Sequence, residues 1–297
     1  MSRAAIRSRG DLRARENQRS IAGVEKSDSL AGLAPRFAVL VSSCDAFFDA
    51  WRPFAFFFRK FWPDCPWRVF LIVNELDVRS DFITPIRVGR DRGWADNLRL
   101  ALGQIDADCL LYFQEDYFLN APVAAARLAE DCAQFVTRGV DHFCLHPLAL
   151  PEVAAWERAD SERDKSIAII PPDAPWRTRL QAALWRRETL LDALRPGESA
   201  WDFEARGSER TRGRVAWTYT APAGRSPVPY LASAIVRGLW TPAARRLCAE
   251  HGVQIAPRFR GEYAANNPRA CKWRRALDRA RYPFARWRQG AQPVSLL

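Results

Sequence analysis

Phe37-Ala-Val-Leu-Val-Ser-Ser43 is a run of apolar and β-branched residues that ends in two serines. This pattern is typical of a strand that is buried on both faces and followed by a loop. We predict that a helix follows, from about Ala46 to Phe61, and that Pro63 ends it, because proline lacks the N–H needed for helical hydrogen bonding. The ordered part of the chain therefore begins with a strand, a loop and a helix.

The same alternation continues along the chain. It predicts further strands at Arg68–Asn74, Ile83–Val88, Cys109–Phe113 and 142–148, and further helices at Trp94–Ile105 and Val123–Thr137. Such alternation favours right-handed βαβ units, so we expect an α/β fold with a mostly parallel sheet flanked by helices. After residue 148 the pattern loosens. We interpret three short runs around a helix at Arg187–Leu194 as a smaller antiparallel addition: Ser166–Ile170, Arg179–Trp185 and Val215–Tyr219.

Composition and charge limit the class of protein. The chain has 297 residues, 48% of them hydrophobic, and carries a net charge of +11. Lys and Arg are in excess at the ends, with eight against four acids in residues 1–36 and ten against two in 258–288. We therefore divide the chain into a disordered basic extension (1–34), one catalytic domain (35–257) and a basic aromatic tail (258–297). No run approaches the roughly 20 apolar residues of a membrane-spanning helix, and the basic start lacks the apolar core of a secretory signal, so we expect a cytoplasmic protein.

The cysteines and histidines give no clear metal or disulfide signal. Seven cysteines form an odd set without a Cys-x-x-Cys pair, which supports neither a disulfide framework nor a zinc site. His142 and His146 lie four residues apart on a predicted strand, where they form either a metal pair or two polar residues at a strand end.

The sharpest chemical feature is Leu110-Leu-Tyr-Phe-Gln-Glu-Asp-Tyr-Phe-Leu119, in which Glu115 and Asp116 directly follow a hydrophobic strand. Buried carboxylates cost free energy unless a cation or hydrogen-bond donors compensate them. A Mg²⁺ or Mn²⁺ ion that holds a diphosphate is one such cation, because it takes one or two protein carboxylates and fills its other positions with phosphate oxygens and water. Alternatively, the two acids cap the next helix or pair with an arginine.

Ligands of parallel α/β sheets bind at the carboxyl ends of the strands. The polar loop Arg87–Leu98 also contains two glycines and leads into a helix whose N-terminal amides attract an anion. In this loop Asp91 is placed to hold a base or ribose, and Arg90 or Arg92 its phosphates, although Asp and Gly are also common turn residues. From these positions we predict a nucleotide-binding set: Ser43, Asp45, Asn74, Asp91, Arg92 and Asp96.

A third segment follows a helix that Pro196-Gly197 ends. It places Trp201 beside Asp202 and Glu204. A tryptophan supplies an apolar platform for a sugar ring, and a carboxylate accepts the proton of a hydroxyl. The alternative is that Glu204 pairs with a nearby arginine at the surface.

Four segments, taken in chain order, resemble GT-A glycosyltransferases, particularly bacterial enzymes that assemble surface polysaccharides such as lipopolysaccharide. The segments are Val41–Asp45, Asp91–Asn97, Tyr112–Tyr117 and Trp201–Glu204. The likeness spans about residues 36–240. It implies that Asp45 contacts the nucleotide base and that Asp91 is the second nucleotide-binding acid. It also implies a divalent cation, Mn²⁺ or Mg²⁺, at Glu115 and Asp116, where this sequence has Gln-Glu-Asp and the family keeps Asp-X-Asp.

The resemblance further implies transfer of a sugar from a nucleotide-sugar donor, with UDP-sugars favoured, to a hydroxyl of a glycan or lipid-linked acceptor. In inverting members of the family the last segment carries the catalytic base. Glu204 is our choice for that base and Asp202 the second catalytic candidate. Trp201, Tyr117 and Trp94 are the expected platform for the acceptor or sugar.

The composition of the C-terminal tail predicts a contact with a membrane surface. Lys272–Arg288 mixes arginines with aromatic residues, as segments at anionic lipid surfaces do, and predicts a peripheral position on the inner membrane. A solvated tail or a helix packed on the domain is the alternative.

The net charge also suggests a nucleic-acid binding protein, which we disfavour because such a function gives the pair of acids Glu115 and Asp116 no role. A non-catalytic relative that binds a sugar nucleotide or glycan is the other alternative.

Overall fold

The computed structural model describes residues 30–33, 36–149, 153, 155–159, 166–220, 226–255, 260–264 and 292–296. Within these residues the chain forms twelve strands and seven α-helices. The strands are β1 (Phe37–Ser42), β2 (Val69–Val73), β3 (Val78–Arg79), β4 (Ile83–Arg87), β5 (Cys109–Gln114), β6 (His142–Leu148), β7 (Ile167–Ile169), β8 (Ala183–Arg186), β9 (Ala216–Thr220), β10 (Ile235–Val236), β11 (Leu239–Trp240) and β12 (Val294–Ser295). The helices are α1 (Leu30–Leu33), α2 (Phe48–Phe61), α3 (Trp94–Leu102), α4 (Ala125–Thr137), α5 (Arg187–Ala193), α6 (Ala200–Arg210) and α7 (Pro242–Glu250), and a 3₁₀ helix spans Asp45–Phe47.

Eight strands form the central sheet, in the order β4-β2-β1-β5-β8-β6-β9-β7. The first four are parallel neighbours, and β6 is parallel to β9. β8 runs antiparallel to both β5 and β6, β7 runs antiparallel to β9, and β10 and β11 form a separate two-stranded antiparallel sheet. The predicted α/β class is confirmed, with a mostly parallel sheet and antiparallel strands in the C-terminal half.

Helices cover both faces of the sheet. Val39 and Val41 of β1 belong to a core cluster that contains the aromatic face of α2, whereas Ala38 and Leu40 belong to a second cluster with α3, α5 and Phe203 of α6. Successive side chains of a strand point to opposite faces, so a strand covered on both sides must be apolar throughout. This explains why β1 is buried along its whole length.

Helix α6 is the main element that we did not predict. It begins with a capping box in which the Ser199 hydroxyl accepts the N–H of Asp202, and the Asp202 carboxylate accepts the N–H of Ser199. Only Phe203, Gly207 and Ser208 of this helix are buried. Its apolar periodicity is therefore weak, and the capping residues are its clearest sequence signal.

Near both ends of the chain, the residues that the structure describes pack on the domain. In the predicted extension, α1 contacts α4 and Leu33 is buried. In the predicted tail, β12 pairs in parallel with β3, and Arg260 is buried. The segment Lys272–Arg288, on which the membrane expectation depends, lies outside the described residues. None of the described helices is long and apolar enough to cross a membrane.

Candidate functional site

Three strand ends meet at one edge of the sheet. β1 lies between β2 and β5, and the register pairs Ser42 of β1 with Gln114 of β5. Ser43 and Glu115, the next residue of each chain segment, therefore emerge side by side. Asn74 follows the parallel strand β2 at the same edge. Carboxyl ends of adjacent parallel strands are the usual place for a ligand in such sheets.

Asp45 is held by the loop that follows β2. Its buried carboxylate accepts the backbone N–H of Asn74 on Oδ1 at 2.8 Å, and those of Glu75 and Leu76 on Oδ2 at 2.9 and 3.0 Å. Asp45 in turn donates its own N–H to Oδ1 of Asn74 at 3.0 Å. The Nδ2 amide of Asn74 is buried and has no hydrogen-bond partner within the described ranges. It is therefore a donor at the strand ends that a ligand oxygen would satisfy.

Glu115 and Asp116 are buried, with exposed fractions of 7% and 5%. Ser233 donates its hydroxyl to Oδ2 of Asp116 at 2.8 Å, and Ile235 donates its N–H to the same oxygen at 3.1 Å. These bonds fix the turn before β10 against the end of β5. Oδ2 of Asp116 is thus oriented by two donors from this turn, and the backbone N–H of Asp116 also donates to the carboxylate.

Arg260 supplies positive charge beside the acid pair. Its guanidinium donates to both carboxylate oxygens of Asp49, at 2.9 and 3.1 Å, and to two backbone carbonyl oxygens, those of Ala46 and Gly238. Arg260 was not among the predicted site residues, because it lies in the segment assigned to the tail. No local pattern distinguishes it from the other arginines there.

The acid pair is electrostatically costly. Burial raises the pKa of both Glu115 and Asp116 above their ordinary values, and the charge of Asp116 raises that of Glu115 further. Arg260 lowers the pKa of both groups, and a hydrogen bond with Ser43 lowers that of Glu115. Ser43 is itself positioned by Trp51, whose Nε1 donates to the Ser43 hydroxyl oxygen at 2.7 Å.

The loop before α3 is built around Asp91. Its Oδ1 accepts hydrogen bonds from Nδ2 of Asn97 at 2.8 Å and from the N–H of Gly93 at 2.9 Å. Oδ1 of Asn97 accepts the N–H of Arg92 at 3.1 Å. Gly93 has a φ of 95°, in the left-handed region that favours glycine. The side chain of Arg92 is exposed.

The start of α3 contacts α6 and the loop before it. Oδ2 of Asp96 accepts the N–H of Gly197 at 2.7 Å. Trp94 packs on Phe203, with ring centroids 5.2 Å apart. Two segments that we predicted separately, residues 87–98 and 200–204, are therefore neighbours, and Asp96 is engaged in joining them.

Glu204 is half-buried on α6. Its Oε1 accepts the N–H of Leu180 at 2.7 Å, and its Oε2 forms no hydrogen bond with a described residue. Burial raises the pKa of Glu204, while the Leu180 N–H and the charge of Arg179 oppose the shift. The hydroxyl of Tyr117 donates to the carbonyl oxygen of Leu180. Leu180 therefore connects Glu204 with the turn after β5, which carries Glu115 and Asp116 and which we call the acid pair loop.

The other predicted residues of this segment are placed differently. Asp202 is half-buried and caps α6. Trp201 stands in the first turn of α6 with an exposed fraction of 77%, so its ring is available to a ligand. Tyr117 is buried against Tyr230, with ring centroids 4.9 Å apart, and presents little of its ring to a sugar.

The thiol of Cys44 is influenced by three of the strand-end acids. Its pKa is raised to about 12, first by burial and then by the charges of Glu115, Asp91 and Asp45. These three carboxylates therefore lie within electrostatic reach of one thiol. Tyr117, whose pKa is raised mainly by burial, likewise feels the charges of Asp116 and Glu204.

Metal-ligating side chains do not form a larger cluster. No group of three or more His, Cys, Asp or Glu side chains suited to a metal ion occurs in the described part of the chain. His142 is fully buried and stacked on Trp185 with centroids 3.9 Å apart, and burial lowers its pKa to about 3. It is a neutral core residue, whereas His146 packs near Tyr230.

Comparisons with known proteins find structural likeness only. No protein-family model and no curated protein matches the sequence. The mannosyltransferase PcManGT from Pyrobaculum calidifontis, solved with GDP-Man and Mn²⁺, is 17% identical with a TM-score of 0.43, over 93% of this chain and 80% of that one. TarS 1–349 from S. aureus is 13% identical with a TM-score of 0.42, over 66% of this chain and 59% of that one. A UDP-glucose pyrophosphorylase solved with UDP-glucose is 9% identical with a TM-score of 0.37, over 64% of this chain and 91% of that one. Likenesses this remote do not establish a family or an activity for the chain.

Proposed function

We propose that this protein is a GT-A type glycosyltransferase that moves a sugar from a nucleotide-sugar donor to a hydroxyl group of an acceptor. The observation that carries the proposal is the position of Glu115 and Asp116. They are buried at the carboxyl end of a central strand, and the charges of Glu115, Asp91 and Asp45 all act on the neighbouring thiol of Cys44. Buried carboxylates that are only partly compensated at a strand-end cleft are suited to a charged ligand.

The nucleotide would lie over the ends of β1 and β2. The orphan Nδ2 donor of Asn74 supports a contact to an acceptor oxygen of the base or ribose. Asp45 already accepts three backbone hydrogen bonds, so its proposed contribution is mainly to shape the loop that contacts the base. Asp91 would contact the ribose, and the exposed Arg92 the phosphates at the start of α3.

Glu115 and Asp116 fit a divalent cation that is also held by a diphosphate. Oδ2 of Asp116 is held by Ser233 and Ile235, and the proposed ligands are Oδ1 of Asp116 and the Glu115 carboxylate. Mg²⁺ and Mn²⁺ sites with phosphate substrates commonly use one or two protein carboxylates. When bound, such an ion would neutralise charge on the departing nucleoside diphosphate. Arg260 adds a fixed positive charge to the same region.

Glu204 is the proposed general base. Its position is fixed through Oε1 by Leu180, its Oε2 is available, and its raised pKa makes it a stronger base than an ordinary surface glutamate. It would take the proton of the acceptor hydroxyl while that oxygen attacks the anomeric carbon. A single displacement of this kind inverts the configuration. The exposed Trp201 and the half-buried Trp94 would receive the sugar or acceptor ring.

The finer assignments follow from the sequence resemblance. We propose a UDP-sugar as donor, a glycan or lipid-linked acceptor, and a place in surface polysaccharide synthesis such as that of lipopolysaccharide. A peripheral position on the inner membrane, with the basic tail on anionic lipid, accords with such an acceptor.

A thermal-shift panel tests the proposal. The parent protein is heated with UDP-, GDP-, CMP- and dTDP-sugars, each with and without Mn²⁺. A ligand that binds the folded state raises the melting temperature, and we expect one nucleotide class to do so, with a larger shift when Mn²⁺ is present. The matching sugar then serves as donor in a transfer assay. No shift with any donor would overturn the proposal.

A further inference from the structure

A groove lies along α2, away from the residues assigned above. It has a volume of about 690 Å³ and is lined by Arg52, Phe56, Arg59 and Lys60 of α2, together with Val253 and Leu296. We refer to these six residues as the α2 groove. Its volume lies within the range of about 300 to 1,000 Å³ found for ligand pockets. It shares no residue with the candidate site.

The helical part of the groove alternates charge and apolar surface. Arg52, Phe56 and Lys60 follow one another at intervals of four residues, so they share one side of α2. Phe56 is 39% exposed, whereas the next residues, Phe57 and Phe58, are buried in the core. Nζ of Lys60 lies 5.8 Å from the centre of the Phe56 ring. An exposed aromatic ring is thus flanked by a cation on each side.

The cations of the groove outnumber their acidic partners. Arg59 pairs with Asp81 at 2.5 Å. For Arg52 and Lys60, no carboxylate of a described residue lies within 4.0 Å, and Lys60 instead contacts Nδ1 of His251 at 3.0 Å. The groove therefore combines apolar surface with two cations, Arg52 and Lys60, that no carboxylate among the described residues pairs, and it is complementary to an anion that carries an apolar portion.

Charge also distinguishes between two candidate occupants of the α2 groove, a basic segment of this chain and an anionic surface. Residues 265–291 of this chain contain eight Lys and Arg against one acid. A segment of that charge is repelled by the cations of the groove. The same basic segment would be attracted to an anionic partner, so the segment and the groove favour the same kind of surface, an anionic one.

We propose that the α2 groove docks on an anionic phospholipid bilayer, with the exposed ring of Phe56 in the apolar layer and Arg52 and Lys60 at the headgroup phosphates. Apolar side chains flanked by basic ones are the combination that binds membrane interfaces. The inference is independent of the proposed transferase activity.

Vesicle flotation tests the docking surface. The full chain is floated with vesicles of phosphatidylcholine alone and of phosphatidylcholine with phosphatidylglycerol, at fixed salt. We expect binding only to the anionic vesicles, and a loss of at least about tenfold in the double variant R52Q/K60Q. F56S should weaken binding several-fold without changing its salt dependence, because it removes apolar area and no charge. The matched control is R195Q/R212Q, which removes two exposed arginines outside the groove and should bind almost as the parent does.

The outcomes separate the alternatives. Unfolding curves first establish that each variant is folded. Equal binding by the parent and R52Q/K60Q would overturn the proposal, as would equal losses in the groove and control variants. A parent that does not float with anionic vesicles, or a dimer in light scattering that R52Q/K60Q dissociates, would likewise overturn it. Vesicle binding is measured without donor or acceptor, so its failure leaves the proposed transfer reaction untouched.

Discussion

Leu180 donates its backbone N–H to Oε1 of Glu204 at 2.7 Å, and this bond joins the segment before β8 to the middle of α6. The same residue accepts a hydrogen bond from Tyr117 through its carbonyl oxygen. Thr178, two residues earlier, donates its hydroxyl to the carbonyl oxygen of Phe203 at 3.1 Å. The proposed base is therefore positioned by a backbone segment that also contacts the acid pair loop.

Replacing Glu204 with Gln tests its role as a base. Gln retains a carbonyl oxygen for the Leu180 N–H but cannot accept the proton, so we expect a loss of about 10²- to 10⁴-fold in turnover. Donor affinity and melting temperature should stay close to those of the parent. The matched control is E209Q on the same helix, since Glu209 is exposed. Full turnover by E204Q in a steady-state assay would remove Glu204 from the mechanism.

Gly207 allows the segment before β8 to approach α6 closely. A Cβ at this position would lie 2.7 Å from Oγ1 of Thr178, so G207A should lower both the free energy of unfolding and turnover. This direction opposes the stabilisation of about 1 kcal/mol that a Gly to Ala change ordinarily gives within a helix. In the double variant G207A/T178A, the loss of the Thr178 hydroxyl should restore part of the free energy of unfolding and of the turnover that G207A loses.

The control for this prediction is G213A, because a Cβ there would have no atom within 4 Å. Urea unfolding measures the stability of each variant. A G207A protein that is as stable as the parent would mean that the close approach is not required.

Asp45 is predicted to stabilise the loop after β2. D45A removes the acceptor of three backbone N–H groups, and we expect a loss of about 3 kcal/mol in the free energy of unfolding. D106A, at an exposed position, is the control and should change little. If D45A unfolds at the same urea concentration as D106A, the loop is held by other contacts.

The buried Asp131 predicts a specific pH dependence of stability. Tyr219 donates its hydroxyl to this carboxyl at 2.7 and 2.9 Å, and Arg127 lies at 3.4 Å. Burial raises the pKa of Asp131 to about 7, although the Tyr219 and Arg127 contacts lower it. Between the ordinary pKa of about 3.9 and this value, the folded state holds a proton that the unfolded state has lost. The contribution of Asp131 to stability is therefore complete below about pH 4 and decreases as the pH rises to about 7.

Asp131→Asn provides the comparison, because Asn keeps an acceptor for Tyr219 and does not ionise. The free energy of unfolding of the parent minus that of D131N should fall between about pH 4 and 7 and then level off. Urea titrations at six pH values measure this difference. A difference that is constant or rises with pH would contradict the assigned shift.

The sequence predicted most of the sheet because its strands have a strong local signal. β2 is apolar throughout, and β1 and β5 are apolar up to their last residues, Ser42 and Gln114. Polar residues follow each strand, so both the strands and the edge that carries Asp45 and Glu115 were recognisable. Helix α6 was missed because few of its residues are buried. For weakly amphipathic helices the capping residues carry more information than the periodicity.

Arg260 could not be predicted for a different reason. Its partner Asp49 is 211 residues away along the chain, and neither residue has a distinctive neighbourhood. The same holds for Ser233, which orients Asp116 from 117 residues away. Such contacts arise when the chain folds back on itself, and no periodic pattern encodes them.

Calorimetric titration of the donor tests whether Glu115 belongs to a donor site at the end of β5. The nucleotide sugar selected by the thermal-shift panel is titrated with Mn²⁺ into the parent, E115Q and E130Q, of which the last changes an exposed glutamate of α4. We expect the parent and E130Q to bind the donor equally and E115Q to bind it at least about tenfold more weakly, which is a difference in binding free energy of about 1.4 kcal/mol or more. Equal affinity in all three proteins would contradict a donor site at the end of β5.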